Sequence, residues 1–98
     1  MTVQRDPEKR EINHLHAFAD FAGARVLEIG CGEGRLTWRY AGAAAQVVGV
    51  DPDPVRLDVA SREIPPGLRS TVTFALAKAE TLPFPRETFD LAVLAWSL

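Results

Sequence analysis

Three glycines and two acids carry the chemistry that this sequence offers. Glu28-Ile29-Gly30-Cys31-Gly32-Glu33-Gly34 sets an acidic residue two positions ahead of a G-x-G-x-G run. Residues without a Cβ let the backbone approach a ligand closely. A glycine turn that opens a helix also offers N–H donors to that ligand. Asp51 follows about 20 residues later, the separation at which nucleotide-binding folds place a ribose-binding acid. Its two carboxylate oxygens can accept from both ribose hydroxyls. These residues imply a nucleotide-like ligand. The dinucleotide fingerprint is G-x-G-x-x-G, whose third glycine permits close helix–strand packing. Counted from Gly30, that position is Arg35. A long charged side chain there disfavours a dinucleotide-dependent oxidoreductase, which stays as the less favoured alternative.

Each residue also has a purely structural role open to it. The glycines can form a tight turn without a ligand. Asp51 can cap the helix that follows, and Glu28 can pair with Arg25 or Arg35. Cys31 has no Cys-x-x-Cys partner and no paired histidine, so it reads as a small loop residue rather than a nucleophile. His14 and His16 are two apart on an expected helix, hence on different faces, and no metal site is expected there. Trp96 reads as core or interface, and Asp90 as a turn or cap residue. No catalytic residue is identifiable.

The elements that must position these residues alternate along the chain. Asp6 followed by Pro7 is a helix start, a side-chain cap and then a proline whose missing N–H costs nothing in the first turn. A helix from about Pro7 to Phe21 is expected, ended by Gly23. This gives an N-terminal helix over residues 1–22 and a core over 25–98, within one domain. Arg25–Ile29 is a short apolar strand. A helix follows from about Glu33 to Ala43. Gln46–Val50 is a second strand, ending in Asp51. Pro52 and Pro54 mark a turn and a new helix carrying Val55, Val59 and Ile64, which stops at Pro65-Pro66. Residues 67–70 form a turn and 71–75 a β-branched strand. Residues 77–88 are mostly loop, broken by Pro83 and Pro85. Residues 89–95 are the fourth strand. Strands alternating with helices imply an α/β fold, a Rossmann-like open parallel sheet with helices on both faces. Strands that are apolar on both faces agree.

Composition excludes several classes. The chain has 98 residues, 11 basic against 13 acidic, and a net charge of −2. The basic residues are scattered, so nucleic acid is not expected as an electrostatic partner. One cysteine allows no internal disulfide and fits a reducing compartment. The polar N-terminus has no signal-peptide character. The longest apolar run, 91–96, is too short to cross a bilayer. The expected location is cytoplasmic.

Beyond these readings, Glu28-Ile-Gly-Cys-Gly-Glu-Gly34 resembles motif I of class I S-adenosylmethionine-dependent methyltransferases. Val48-Gly-Val-Asp51 resembles that family's second-strand motif, whose acid binds both ribose hydroxyls. Ala79-Glu-Thr-Leu-Pro-Phe-Pro85, with Phe89-Asp-Leu-Ala-Val93, resembles the run into its fourth strand, in the style of the type 11 group that acts on small molecules. The likeness extends from about Arg25 to the C-terminus, with three motifs in order.

The resemblance implies S-adenosylmethionine as cofactor, S-adenosylhomocysteine as product and methyl transfer to an unidentified acceptor. It assigns Gly30, Cys31, Gly32 and Gly34 to backbone approach, and Glu28 to the cationic methionine end. Asp51 goes to the ribose, Pro52 to the adenine face, and Ala79 and Glu80 to adenine. One departure is Lys78, which stands where the family often has an acid that accepts from the adenine amine. Lysine carries only donors. The family's sheet has strand order 3-2-1-4-5-7-6, of which this sequence supplies 3-2-1-4. The expectation is therefore a truncated domain, inactive alone or a cofactor-binding module. Its fourth strand would expose an apolar edge that invites a homodimer or aggregation.

Overall fold

The computed structural model describes residues 2–5, 11–14, 21–78 and 88–95. The chain begins with β1 (Thr2–Arg5) and β2 (Glu11–His14), an antiparallel pair with Thr2 opposite His14. Then come β3 (Arg25–Ile29), α1 (Thr37–Tyr40), β4 (Gln46–Asp51) and α2 (Pro54–Arg62). A 3₁₀ turn (Pro66–Leu68), β5 (Val72–Leu76) and β6 (Leu91–Leu94) complete it. The sheet order is β2-β1-β6-β3-β4-β5. Its four parallel strands, β5-β4-β3-β6, realise the expected order 3-2-1-4.

The two faces of β3 and β4 explain why these strands read as unbroken apolar runs. Val26 stands opposite Val47 and Leu91, and Val47 opposite Val72. These four share a buried cluster with Phe21, Tyr40, Ala41 and Val93. Leu27, Ile29, Val48 and Val50 point the other way and pack with Phe89. A strand inside a parallel sheet buries both faces, so the period-2 alternation of a half-solvated strand is absent.

Two helices differ from the sequence expectation. The helix expected over Glu33–Ala43 keeps α-helical geometry only at Thr37–Tyr40. Its start is delayed because Gly34 sits at φ 89°, outside the right-handed helical region. Its far end tightens into i→i+3 bonds, Ala43 N–H to Tyr40 O and Ala44 N–H to Ala41 O. α2 begins as expected, with Pro54 in its first turn and the Asp53 Oδ1 cap accepting from the Val55 N–H at 2.9 Å. Its buried face is Leu57 and Ala60, not Val55, which is 72% exposed.

The largest correction lies at the N-terminus. A helix was expected over 7–21, yet Glu11–His14 is a strand, and the rest of that span lies outside the described residues except Phe21. The same finding removes the expected open edge. β1 pairs antiparallel with β6, Thr2 against Leu94 and Arg5 against Leu91. An unpaired strand edge is a row of backbone donors and acceptors that another segment can satisfy. Here residues Thr2–Arg5 of the same chain do so. A dimer or aggregate built on an exposed fourth strand loses its basis. No helix among the described residues is long and apolar enough to cross a membrane.

Candidate cofactor site

The glycine loop runs from the end of β3 into α1 and packs against the end of β4. The Gly30 and Cys31 N–H groups both donate to Val50 O, at 2.8 and 3.1 Å. The Gly32 N–H donates to Asp51 Oδ2 at 2.9 Å, and the Gly34 N–H to Cys31 O at 3.1 Å. Four loop amides are spent inside the protein, and α1 begins three residues beyond Gly34. The glycines serve geometry instead, because Gly30, Gly32 and Gly34 all lie at positive φ.

Gly34 shows this most sharply. A Cβ there would come within 2.5 Å of the Trp38 ring, which in turn stands edge-on to Phe74. Gly34→Ala combines left-handed backbone strain of ~1–2 kcal/mol with overpacking of ~1–3 kcal/mol. Urea unfolding of the variant is expected to show a loss of roughly 3 kcal/mol. A loss below roughly 1 kcal/mol would mean that Trp38 moves aside freely.

Asp51 is 5% exposed at the end of β4. Its Oδ2 takes the Gly32 N–H and its Oδ1 takes the Asp53 N–H at 2.9 Å. It does not cap α2, because Asp53 does. Each Asp51 oxygen holds one donor and keeps a lone pair for a second. Pro52 follows it, exposed.

Glu28 is fully buried within β3. The alternative of an ion pair with arginine is overturned. Arg25 is tied to Asp90, whose Oδ2 accepts from the Arg25 backbone N–H at 2.9 Å. Among the described residues Arg35 reaches only Glu33, at 3.9 Å. Glu28 instead accepts at Oε1 from Thr37 Oγ1 at 3.0 Å and from the Tyr40 hydroxyl. Burial pushes its carboxyl up to about 7, against the pull of those two hydroxyls. Its Oε2 has no hydrogen-bond partner among the described residues. Cys31 is buried beside it. Burial, with the charges of Glu28 and Asp51, pushes the thiol up to about 12, so it is no thiolate nucleophile.

The structure brings together Glu28, Gly30, Cys31, Gly32, Gly34 and Asp51. Ala79, Glu80 and Trp96 lie outside the described residues. Several neighbours were missed in the sequence. Thr37 and Tyr40 are one helical step apart, a spacing that signals a shared face. Gly49 is required by close packing, since a Cβ there would sit 2.7 Å from the Phe74 ring and 3.0 Å from Cys31 Sγ. Arg56 Nη1 would lie 3.6 Å from a Cβ on Gly32. Asp90 joins the starts of β3 and β6 and has no place in the site, as its sequence position implied.

Residues 26–98 match the protein family described as a methyltransferase domain. The chain belongs to that methyltransferase family. It is 40% identical over 81 residues to the ubiquinone/menaquinone biosynthesis C-methyltransferase of Pseudomonas fluorescens, covering 79% of this chain and 32% of that protein. Among solved structures it resembles an S-adenosylmethionine-dependent methyltransferase from Mesorhizobium loti, with a TM-score of 0.62, 28% identity, and 71% of this chain and 32% of that one covered. It also resembles the [4+2]-cyclase SpnF, with a TM-score of 0.64, 33% identity, and 74% and 29% covered. The chain spans a third or less of the length of the curated relatives it matches. Membership of the methyltransferase family implies S-adenosylmethionine as cofactor. The dinucleotide oxidoreductase alternative falls with it.

Proposed function

We propose that this methyltransferase domain binds S-adenosylmethionine across the carboxyl ends of β3 and β4 and takes part in methyl transfer to a small-molecule acceptor in the cytoplasm. The observation that carries this reading is the pairing of two buried carboxylates on either side of the glycine loop. One of them, Glu28, has an oxygen with no partner among the described residues. A buried acceptor without a donor is costly and is normally satisfied. The ammonium of the cofactor's methionine end is a donor of the right charge for it.

When bound, the cofactor supplies a methyl group on a sulfonium that is already a good leaving group. The chain's own residues bind and orient. Asp51 uses its two remaining lone pairs for the ribose hydroxyls. The loop of Gly30, Cys31, Gly32 and Gly34 lets the cofactor approach the backbone, with the Cys31 side chain buried. Pro52 lies against adenine, and Ala79 and Glu80 complete the adenine contacts in place of the acid that Lys78 replaces. With the cofactor so held, rate enhancement rests on positioning the acceptor and excluding water rather than on acid–base groups.

Isothermal calorimetry with S-adenosylhomocysteine tests this. Binding that Asp51→Ala removes supports the site, and a folded protein that binds none overturns it. A second reading, cofactor binding without methyl transfer, is favoured by the likeness to a protein described as a [4+2]-cyclase. Turnover on any acceptor would eliminate it.

A further inference from the structure

The role proposed for Glu28 leaves Thr37 and Tyr40 unexplained. They lie three apart on α1, 9 and 12 residues beyond Glu28, and both donate to the same oxygen, Oε1. Among the described residues Oε2 has no donor, although the side chain is fully buried. The described groups that face Glu28 are these two hydroxyls from α1 and Cys31 from the glycine loop. Beyond Cys31 stands Asp51 at the end of β4. None is a cation. On β3 the flanking positions are Gly49 of β4 and Val93 of β6, which bring no charge.

A carboxyl so enclosed is most stable neutral, and a bound ammonium reverses that preference. We propose that Thr37 and Tyr40 are positioning residues that lock one oxygen of Glu28 so that the other meets the cofactor's ammonium, and that cofactor binding drives one proton off Glu28. The proton leaves the carboxyl for solvent buffer. The ammonium keeps its own protons and pairs with the resulting carboxylate. This inference rests on the cofactor site proposed above. The position of the Glu28 carboxyl, pushed up to about 7, places the coupling in the neutral range.

The test is calorimetry of S-adenosylhomocysteine binding between pH 5.5 and 8.5, in two buffers of different ionisation enthalpy. Near pH 6 binding should release about one proton, and affinity should rise roughly tenfold per pH unit, both effects fading above about pH 8. Methylthioadenosine, which lacks the amino-acid end, should bind with equal heat in both buffers. Tyr40→Phe keeps the ring stacked on Phe21, at 4.1 Å between centroids, and removes one donor to the carboxylate. Its proton-release window should therefore move to higher pH, a change that mere loosening of the fold would not produce. S-adenosylhomocysteine bound with equal heats in both buffers at every pH would overturn the proton coupling and leave the cofactor site standing. An unmoved window in Tyr40→Phe would overturn the positioning role. Absence of binding at any pH would overturn this inference together with the cofactor site.

Discussion

Asp51→Ala is expected to weaken S-adenosylhomocysteine binding by at least about a hundredfold. Each hydrogen bond to a charged group contributes roughly 1.5–3 kcal/mol, and the proposed ribose contact makes two. A hundredfold corresponds to about 2.7 kcal/mol, which the loss of both contacts readily reaches. The same substitution also strips the Gly32 N–H and the Asp53 N–H of their acceptor. The Gly32 donor is left in a buried loop, at a cost of roughly 1–3 kcal/mol. Thermal unfolding without ligand therefore belongs beside the calorimetry. Asp51→Asn separates the two effects, because it keeps one acceptor oxygen and the side-chain shape but loses the charge. It should melt closer to the parent than Asp51→Ala and still bind at least roughly tenfold more weakly, since charge-assisted bonds are about twice as strong as neutral ones. A folded Asp51→Ala protein that binds within threefold of the parent would remove the ribose role and leave Asp51 as a clamp on the loop.

Glu28→Gln is expected to abolish a pH dependence of stability that runs opposite to ordinary acid denaturation. The Glu28 carboxyl rises from 4.5 in the unfolded chain to about 7 in the fold, chiefly through burial. Between those values the native state binds the extra proton, so stability falls as pH rises through that window. Below pH 4.5 both states are protonated and the penalty vanishes. Above about 7 both are ionised and the penalty is constant, on the order of 3 kcal/mol. Asp90 works with the other sign. Arg25 holds its carboxyl below the usual carboxylate range, so its contribution is lost only as pH falls below 3.8. Urea midpoints collected from pH 4.5 to 8 should decline for the parent and stay level for Glu28→Gln. A parent whose midpoint does not change over that range would show that Glu28 is ionised in the fold from the start. The substitution should also weaken S-adenosylhomocysteine, because an amide cannot offer the ammonium a charge. Stability at neutral pH and cofactor capture thus pull on this residue in opposite directions.

The parallel core was legible because its signals are local and redundant. Arg25–Ile29 and Gln46–Asp51 are short apolar runs bounded by turn residues, and their alternation with helices implies a parallel sheet, while its strand order came from the resemblance to the methyltransferase family. Pro52 and Pro54 made the start of α2 readable, although its cap, Asp53 rather than Asp51, and its buried face were not. The glycine loop was legible as a motif but not as a mechanism. Spacing shows where Cβ atoms are absent, while the carbonyl or carboxylate that takes each N–H depends on how β4 lies beside β3. Thr37 and Tyr40 were hidden for the same reason. A hydroxyl on a helix reads as ordinary packing until the fold sets it against Glu28. The place of Thr2–Arg5 in the sheet could not be read, because its second partner, Leu91–Leu94, lies about ninety residues away, although its pairing with Glu11–His14 is local.

The pairing of β1 with β6 sets the order in which the sheet can be finished. Thr2–Arg5 can pair with Glu11–His14 early, but the pair has no place on the parallel sheet until Leu91–Leu94 has left the ribosome, so an early segment is placed late. Closing a loop of that length costs roughly 4 kcal/mol in chain entropy before any ladder bond forms. The parallel strands β3, β4 and β5 need no such wait, since their partners are near neighbours in sequence. Assembly therefore runs from the middle of the chain outward, and a ribosome that pauses before Leu91 holds a sheet that lacks both its fourth parallel strand and the hairpin that seals it.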